Sequence, residues 1–233
     1  MNDALKHAVW EANVRLVREG LVLHTWGNVS AVDRVARTMV IKPSGVPYDQ
    51  LQPDQMVTVS LDTGKAAHGS LRPSSDTPTH LVLYRRFSGI GGIAHTHSMH
   101  ATAWAQATRN IPILGTTHAD YWRGEIPCTR RLRPTEIKNN YEENTGHIIV
   151  ETFRNLNPLE VPAVLVASHG AFAWGRDAAE AVQHAVVLEY VAQLARETLI
   201  INAANPSLDP LLGDFHFARK HGPKSSYGQN SST

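Results

Sequence analysis

Apolar positions fall along this chain in short runs whose spacing alternates between helical and extended. Leu5, Val9, Ala12, Leu16 and Val17 form a helical stripe over residues 3–19, with Asp3 as a cap and Gly20 as a stop. Extended runs follow at 21–24, 38–42 and 56–61, separated by loops rich in turn residues. Thr77-Pro78 opens a helix through Leu81, Leu83, Tyr84 and Phe87, with proline at the first helical position. Residues 92–97 read as a strand, 100–107 as a short helix and 111–121 as a loop. A helical region starts at Pro134 and runs to about residue 153, with a break expected near Gly146. Residues 163–167 form a buried-type strand, with 171–174 as its hairpin partner. Asp177 then caps a long helix whose stripe is Ala181, Ala185, Leu188, Ala192, Ala195 and Leu199. Beyond about residue 205, prolines and glycines predict a loop-rich tail that packs weakly on itself, yet it carries His216, Arg219 and Tyr227. That tail is either a frayed end or an arm that docks on a neighbouring subunit.

No repeat or linker interrupts the pattern, so the 233 residues read as one domain, 1–233, with the arm at its end. Hydrophobic content of 42% with 18% charged residues is that of a soluble globular protein. Lysine plus arginine (22) nearly cancels aspartate plus glutamate (21), and no basic stripe stands out, which argues against nucleic-acid binding. No apolar run approaches a membrane span, and the charged N-terminus is unlike a signal peptide. The single cysteine, Cys128, rules out an internal disulfide framework and suits the cytoplasm. With no motif around it, Cys128 reads as an inert thiol.

The candidate chemistry lies in the histidines. On a strand, period two puts His95 and His97 on one face, where two imidazoles can chelate a metal ion. The pair alone is weak evidence, but a third histidine, His169, follows another apolar run. Three neutral nitrogen ligands leave one coordination position free, the pattern of catalytic zinc sites. Three loops flank this strand: Thr25-Trp26-Gly27-Asn28-Val29-Ser30, Lys42-Pro43-Ser44-Gly45 and Arg72-Pro73-Ser74-Ser75-Asp76. Each combines small residues with hydroxyl or amide groups and can turn donors towards an anion, although each alone is more often a plain turn. Lys42 would touch that anion or sit exposed at a strand end. Trp26, Trp104 and Trp174 read as core residues, and of the remaining histidines His118 stands first as a neighbour of the site. Asp120 on the 111–121 loop and Tyr227 in the tail are candidate proton carriers. Together these groups suit carbon–carbon bond chemistry beside a carbonyl in a sugar phosphate, and metal-assisted hydrolysis also remains open.

The segments 25–33, 41–46, Pro73-Ser74-Ser75-Asp76-Thr77-Pro78-Thr79-His80 and Gly115-Thr116-Thr117-His118-Ala119-Asp120-Tyr121, with Arg219-Lys220-His221-Gly222, resemble the class II aldolase/epimerase family over nearly the whole chain. The resemblance implies an α/β fold, a three-layer αβα arrangement with a mostly antiparallel central sheet, assembled as a cyclic homotetramer with active sites at subunit interfaces. It implies Zn²⁺, or another divalent ion such as Mn²⁺, Co²⁺ or Ni²⁺, one per subunit, on His95, His97 and His169 with Asp76 as a conditional fourth ligand. It places phosphate on Gly27, Asn28, Ser44, Gly45, Ser74 and Ser75. His216 and Arg219 match tail positions that reach the same interface site, and the acid/base positions fall on Asp120 and, from a neighbouring subunit, Tyr227. The activity implied is epimerisation of L-ribulose 5-phosphate at C4, by retro-aldol cleavage and re-addition of glycolaldehyde phosphate. The alternative is an aldolase that releases the aldehyde, and aspartate rather than glutamate at position 76 favours the epimerase. A non-catalytic scaffold is opposed by the intact ligand and proton-carrier positions, and a zinc hydrolase by the lack of a glutamate beside the histidines.

Overall fold

The computed structural model describes residues 3–222. Within these residues six strands, β1 (Asn28–Asp33), β2 (Thr38–Ile41), β3 (Val57–Ser60), β4 (Gly92–Thr96), β5 (Ala163–Leu165) and β6 (Ala171–Gly175), form one sheet in the order β3-β2-β1-β4-β6-β5. Every pairing between them is antiparallel. Among the described residues eight α-helices accompany them: α1 (Asp3–Arg18), α2 (Thr77–Arg86), α3 (Met99–Gln106), α4 (Thr116–Ala119), α5 (Pro134–Lys138), α6 (Tyr141–Thr152), α7 (Ala178–Ile201) and α8 (Pro210–His221).

The sheet is buried on both faces, and the two faces differ in side-chain size. Ala31, Ala94, Ala163, Ala171 and Ala173 face α1, α3 and α7, whose own contact residues include Ala12, Ala105, Ala178, Ala181, Ala185 and Ala192. Small side chains on both sides let the helices approach the sheet closely. The opposite face carries Met39, Ile41, Val59, Ile93, Phe172 and Trp174 against α2 and α6. This is the three-layer αβα arrangement with a central antiparallel sheet that the family resemblance implied.

Several elements depart from the sequence pattern, each for a physical reason. Residues 21–24 are not a strand; β1 instead starts at Asn28, inside a segment expected to be a loop. Asn28 and Ser30 interrupt the apolar pattern of β1 because they are buried polar groups whose partners come from elsewhere in the chain. The helical region after Pro134 breaks at Asn139 and Asn140, where Asn140 takes a left-handed conformation (φ 55°), and not at Gly146. Gly146 lies within α6, where a Cβ would meet Val82 Cβ at 2.7 Å, so its absence allows α6 to pack on α2. The tail is not loop-rich throughout. Residues 210–221 form α8, capped by Asp209, whose carboxylate accepts from the N–H of Leu211 at 2.8 Å. Asp177 caps α7 as expected, accepting from the N–H of Glu180 at 2.8 Å.

Candidate metal centre

Strand register assembles the histidines. In the β4–β6 ladder His95 faces Phe172 and Thr96 faces Ala171, and in the β1–β4 ladder Asn28 faces His95. Continuing the β4–β6 register beyond the last pair brings His97 beside Gly170, in the turn of the β5–β6 hairpin that carries His169. That turn is tight. Ser168 is left-handed (φ 62°), and a Cβ on Gly170 would meet the Thr96 carbonyl oxygen at 2.7 Å. Gly27 is required just before β1 for a similar reason: its φ is 83° and a Cβ would meet the His95 carbonyl oxygen at 2.7 Å.

His95, His97 and His169 thus offer ligand atoms that all lie within 4.8 Å of one another. His95 is buried, its ring stacked on Phe172 with centroids 4.2 Å apart, and its Nδ1–H donates to the Ala171 carbonyl oxygen at 2.9 Å. Because a carbonyl only accepts, that bond leaves Nε2 of the neutral ring with its lone pair, 3.1 Å from Nε2 of His97. Burial first, then the neighbouring imidazoles, lowers both His97 and His169 to about 4, so both rings are neutral at neutral pH. Neutral imidazoles at His97 and His169, with His95 Nε2 beside them, are nitrogen donors of the kind a divalent ion takes. Asp76 Oδ2 is 4.0 Å from His95 Nε2. Asp76 stands at the N-cap of α2, yet its carboxylate does not cap the helix and instead accepts from Asn28 Nδ2 at 2.7 Å. Burial opposes ionisation of Asp76, but His95, His80 and His169 and the Asn28 bond outweigh it, and its pKa lies below the ordinary value.

The three loops singled out in the sequence converge on these ligands. The 42–45 and 72–76 loops are joined by a Pro43–Pro73 bridge, with Ser44 N–H donating to the Arg72 carbonyl (2.9 Å) and Ser74 N–H to the Lys42 carbonyl (3.0 Å). With Gly27 and Asn28 they enclose a cavity of about 420 Å³, which Ser44, Gly45, Ser74, Ser75, Asp76 and the three histidines all line. Asn28 Oδ1 is buried with no hydrogen-bond partner among the described residues, so an acceptor stands ready beside the cavity.

The remaining candidates fall elsewhere or behave differently. Trp26 is not a core residue: it is 54% exposed at the cavity wall, its ring 6.2 Å from that of His97. Lys42 is not exposed. It lines the cavity from a buried position, donates to the Val46 carbonyl at 2.7 Å, and burial lowers its ammonium to about 8. His118 is buried against Trp122, donates to the Gly124 carbonyl at 2.9 Å and does not line the cavity. Tyr141 and Glu142, which the sequence reading passed over, do line it. A helix start after two asparagines was the only local signal for them.

Asp120, His216 and Arg219 come together, but apart from this cavity. Asp120 follows α4 and accepts from His216 Nδ1 at 3.0 Å; Lys220 Nζ is 3.4 Å and Arg219 3.6 Å from its oxygens. Burial works against the charge on Asp120, and His216, Lys220 and Arg219 outweigh it, holding the carboxyl below its usual range. Tyr227 lies outside the described residues.

An antiparallel αβα sandwich with three imidazoles converging at the strand ends, open to solvent, defines an α/β protein with a cluster that could hold a divalent ion. Residues 7–196 match the family described as Class II Aldolase and Adducin N-terminal domain, and the chain belongs to that family. It is 55% identical over 225 residues to the L-ribulose-5-phosphate 4-epimerase UlaF of Salmonella paratyphi C, covering 97% of this chain and 98% of that one. The protein of the same name from Salmonella paratyphi A is 54% identical over 228 residues, with the same coverage of 97% and 98%. Among solved structures, an L-fuculose 1-phosphate aldolase superposes with a TM-score of 0.76 at 21% identity, over 91% of this chain and 94% of that one. A sugar-phosphate aldolase from Thermotoga maritima gives 0.64 at 20% identity, over 87% and 97%. At these identities the structural likeness concerns the fold.

Proposed function

We propose that the protein is a metal-dependent epimerase that inverts C4 of L-ribulose 5-phosphate, giving D-xylulose 5-phosphate. The observation that carries this reading is the cavity, which three imidazoles and Asp76 line together with the paired Ser-bearing loops. The relatives named for this activity, 55% identical over nearly the whole of both chains, support it.

His95, His97 and His169 would hold Zn²⁺, Mn²⁺, Co²⁺ or Ni²⁺, one per subunit, with Asp76 as a conditional fourth ligand. A divalent ion there supplies Lewis acidity at the C2 carbonyl and C3 hydroxyl of the sugar. Gly27, Asn28, Ser44, Gly45, Ser74 and Ser75 bind the phosphate. Because the N–H groups of Ser44 and Ser74 are committed to pairing the two loops, and Ser74 Oγ already bonds Asn28 and Asp76, the hydroxyls of Ser44 and Ser75 take a large share of that work. Loss of the proton on the C4 hydroxyl breaks the C3–C4 bond. The electron pair stays with the dihydroxyacetone fragment, and glycolaldehyde phosphate leaves with the phosphate. The loops keep that phosphate in place while the aldehyde turns its other face. Re-addition to that face re-forms the C3–C4 bond, a proton returns to the C4 oxygen, and C4 is inverted.

Such an inversion needs proton carriers on opposite faces, and we assign them to Asp120 and Tyr227. Asp120 sits with His216 and Arg219 of its own tail, away from its own chain's cavity. Leu211, Leu212 and Phe215 of α8 and Ile200 and Ile201 of α7 are exposed. Both features support a cyclic homotetramer in which the α4–α8 cluster of one subunit, with Tyr227, completes the cavity of the next, His216 and Arg219 helping to bind substrate there. No helix among the described residues is long and apolar enough to cross a membrane. Cys128, whose thiol burial pushes up to about 11, needs no oxidising compartment, which fits a cytoplasmic enzyme.

The test is direct. Metal-loaded protein is incubated with L-ribulose 5-phosphate, and D-xylulose 5-phosphate should form without free glycolaldehyde phosphate. Accumulation of the aldehyde would make the protein an aldolase.

A further inference from the structure

The three histidines are not held equally. His95 lies on a central strand, buried, with its ring stacked on Phe172 and its Nδ1 fixed by a backbone carbonyl. His169 sits in the β5–β6 turn, after the left-handed Ser168, and is only half-buried. A ring on such a turn can rotate about its side-chain bonds unless something outside the hairpin holds it. That something is Tyr141. Its hydroxyl is 3.0 Å from His169 Nδ1, and its ring stacks on the imidazole at a 29° interplanar angle with centroids 6.0 Å apart.

Tyr141 is well placed to hold a ring still. It opens α6 directly after the left-handed Asn140, and the start of that helix is pinned by Asn144, whose Nδ2 donates to the Glu136 carbonyl at 3.0 Å. Gly146, one turn further on, lets α6 pack against α2, and α2 carries Asp76 at its head. Asp76 and Tyr141 are therefore carried by one packed helix pair, on the side of the sheet that His95 faces.

We propose that Tyr141 is a positioning residue for the metal centre: its hydroxyl accepts from Nδ1–H of His169, which fixes the tautomer and turns Nε2 towards His95 and His97. The pairing allows two arrangements. If the tyrosine donates to Nδ1, the proton of the neutral ring is on Nε2 and His169 cannot bind a cation through it. If Nδ1–H donates to the tyrosine oxygen, Nε2 carries the lone pair. The second matches the tautomer that Ala171 imposes on His95, so both rings present Nε2 to the same point. Partners of this kind behind ligating histidines are typically worth about 10–100-fold in metal affinity.

The proposal rests on reading the three histidines as metal ligands, and the experiment separates the two. Metal-free full-length protein is titrated with Co²⁺, following its visible absorption, for the wild type, His97→Ala and Tyr141→Phe. Tyr141→Phe keeps the stacked ring and removes the hydroxyl. The wild type should bind with the intense spectrum of a low-symmetry nitrogen site, and His97→Ala should lose it. Tyr141→Phe should bind about 10–100-fold more weakly with an altered spectrum, while the melting temperature of the metal-free protein stays unchanged. Wild-type affinity and spectrum in Tyr141→Phe would overturn this proposal and leave the metal reading standing; a wild type that binds no Co²⁺ overturns both. If Tyr141→Phe does not fold, the histidine ¹⁵N shifts of the zinc-loaded wild type decide. A proton on Nδ1 of His169 is expected there, and metal on Nδ1 would refute the idea.

Discussion

The histidine cavity and the Asp120 cluster are built in opposite ways. In the first, backbone register does the positioning: β1, β4 and the β5–β6 hairpin end side by side, so His95, His97, His169 and Asn28 meet wherever the ladder forms. In the second, the end of α4 and helix α8 bring together Asp120, His216, Arg219 and Lys220, held by a hydrogen bond from His216 and ion pairs from Arg219 and Lys220. The ladder is internal and buried, so its three histidines come together within one chain. The cluster lies beneath a helix whose Leu211 and Phe215 remain exposed, so it reads as half of something. A ligand set can be assembled by the fold alone, whereas a pair of proton carriers on opposite faces of a substrate is easily divided between subunits.

The largest expected effect comes from breaking the first region. His97→Ala removes one of the three proposed ligands, and metal and turnover should disappear together while the fold survives. Stoichiometric metal and activity in that variant, by elemental analysis and assay, would remove the basis for the site. Asp120→Asn should act on the other region only. Epimerisation should fall by about 10²–10⁴-fold, the usual worth of a general acid or base, with metal content unchanged. A near wild-type rate there would exclude Asp120 as a proton carrier.

A smaller effect tests whether the two regions meet across a subunit boundary. Inactive His97→Ala and Tyr227→Phe chains are mixed under conditions that allow subunit exchange. Shared sites can then draw metal ligands from one chain and the tyrosine from the other, and random mixing in a cyclic oligomer should restore about a quarter of wild-type activity. Mixed oligomers that form but stay dead would place Tyr227 in its own subunit or outside the mechanism.

The smallest effect contrasts the acid sensitivity of the two regions. His80, bonded to Ser30 behind the cavity, is held neutral by burial down to about 3, and His118 in α4 down to about 4. Both titrate near 6.5 once unfolded, so below that pH the unfolded chain binds protons the folded chain refuses. Stability is therefore complete above about pH 6.5 and falls as pH drops towards the folded values, by up to about 1.4 kcal/mol per pH unit for each histidine. Urea denaturation of metal-free protein at pH 7.5 and pH 5 should show the loss, and His118→Gln should flatten it. Equal stability at both pH values in the wild type would mean that neither ring is held neutral.

The chain pattern told most about elements whose burial is apolar and regular. The stripe of α1, the Thr77-Pro78 start of α2 and the Asp177 cap of α7 were all legible, because local spacing and capping chemistry decide them. It misled where buried groups are polar or where support comes from outside the segment. β1 looked like a loop because Asn28 and Ser30 find partners in Asp76, His80 and Tyr84, far along the chain. α8 looked like loose tail because its stability comes less from an apolar stripe than from contacts with α4 and pairs such as Arg123–Asp214.

For the site, the sequence by itself offered the candidate ligand types and the same-face relation of His95 and His97, which holds although β4 ends at Thr96, because His97 continues the strand's register. It also marked the three small-residue loops. Only the tertiary structure decided that His169 joins them, through the register that sets the β5–β6 turn against the end of β4. It likewise decided that Lys42 is buried and Trp26 exposed, and that Tyr141 stands behind His169. Those outcomes depend on which surfaces meet, and residues distant in sequence carry no local record of the neighbours that packing will bring to them.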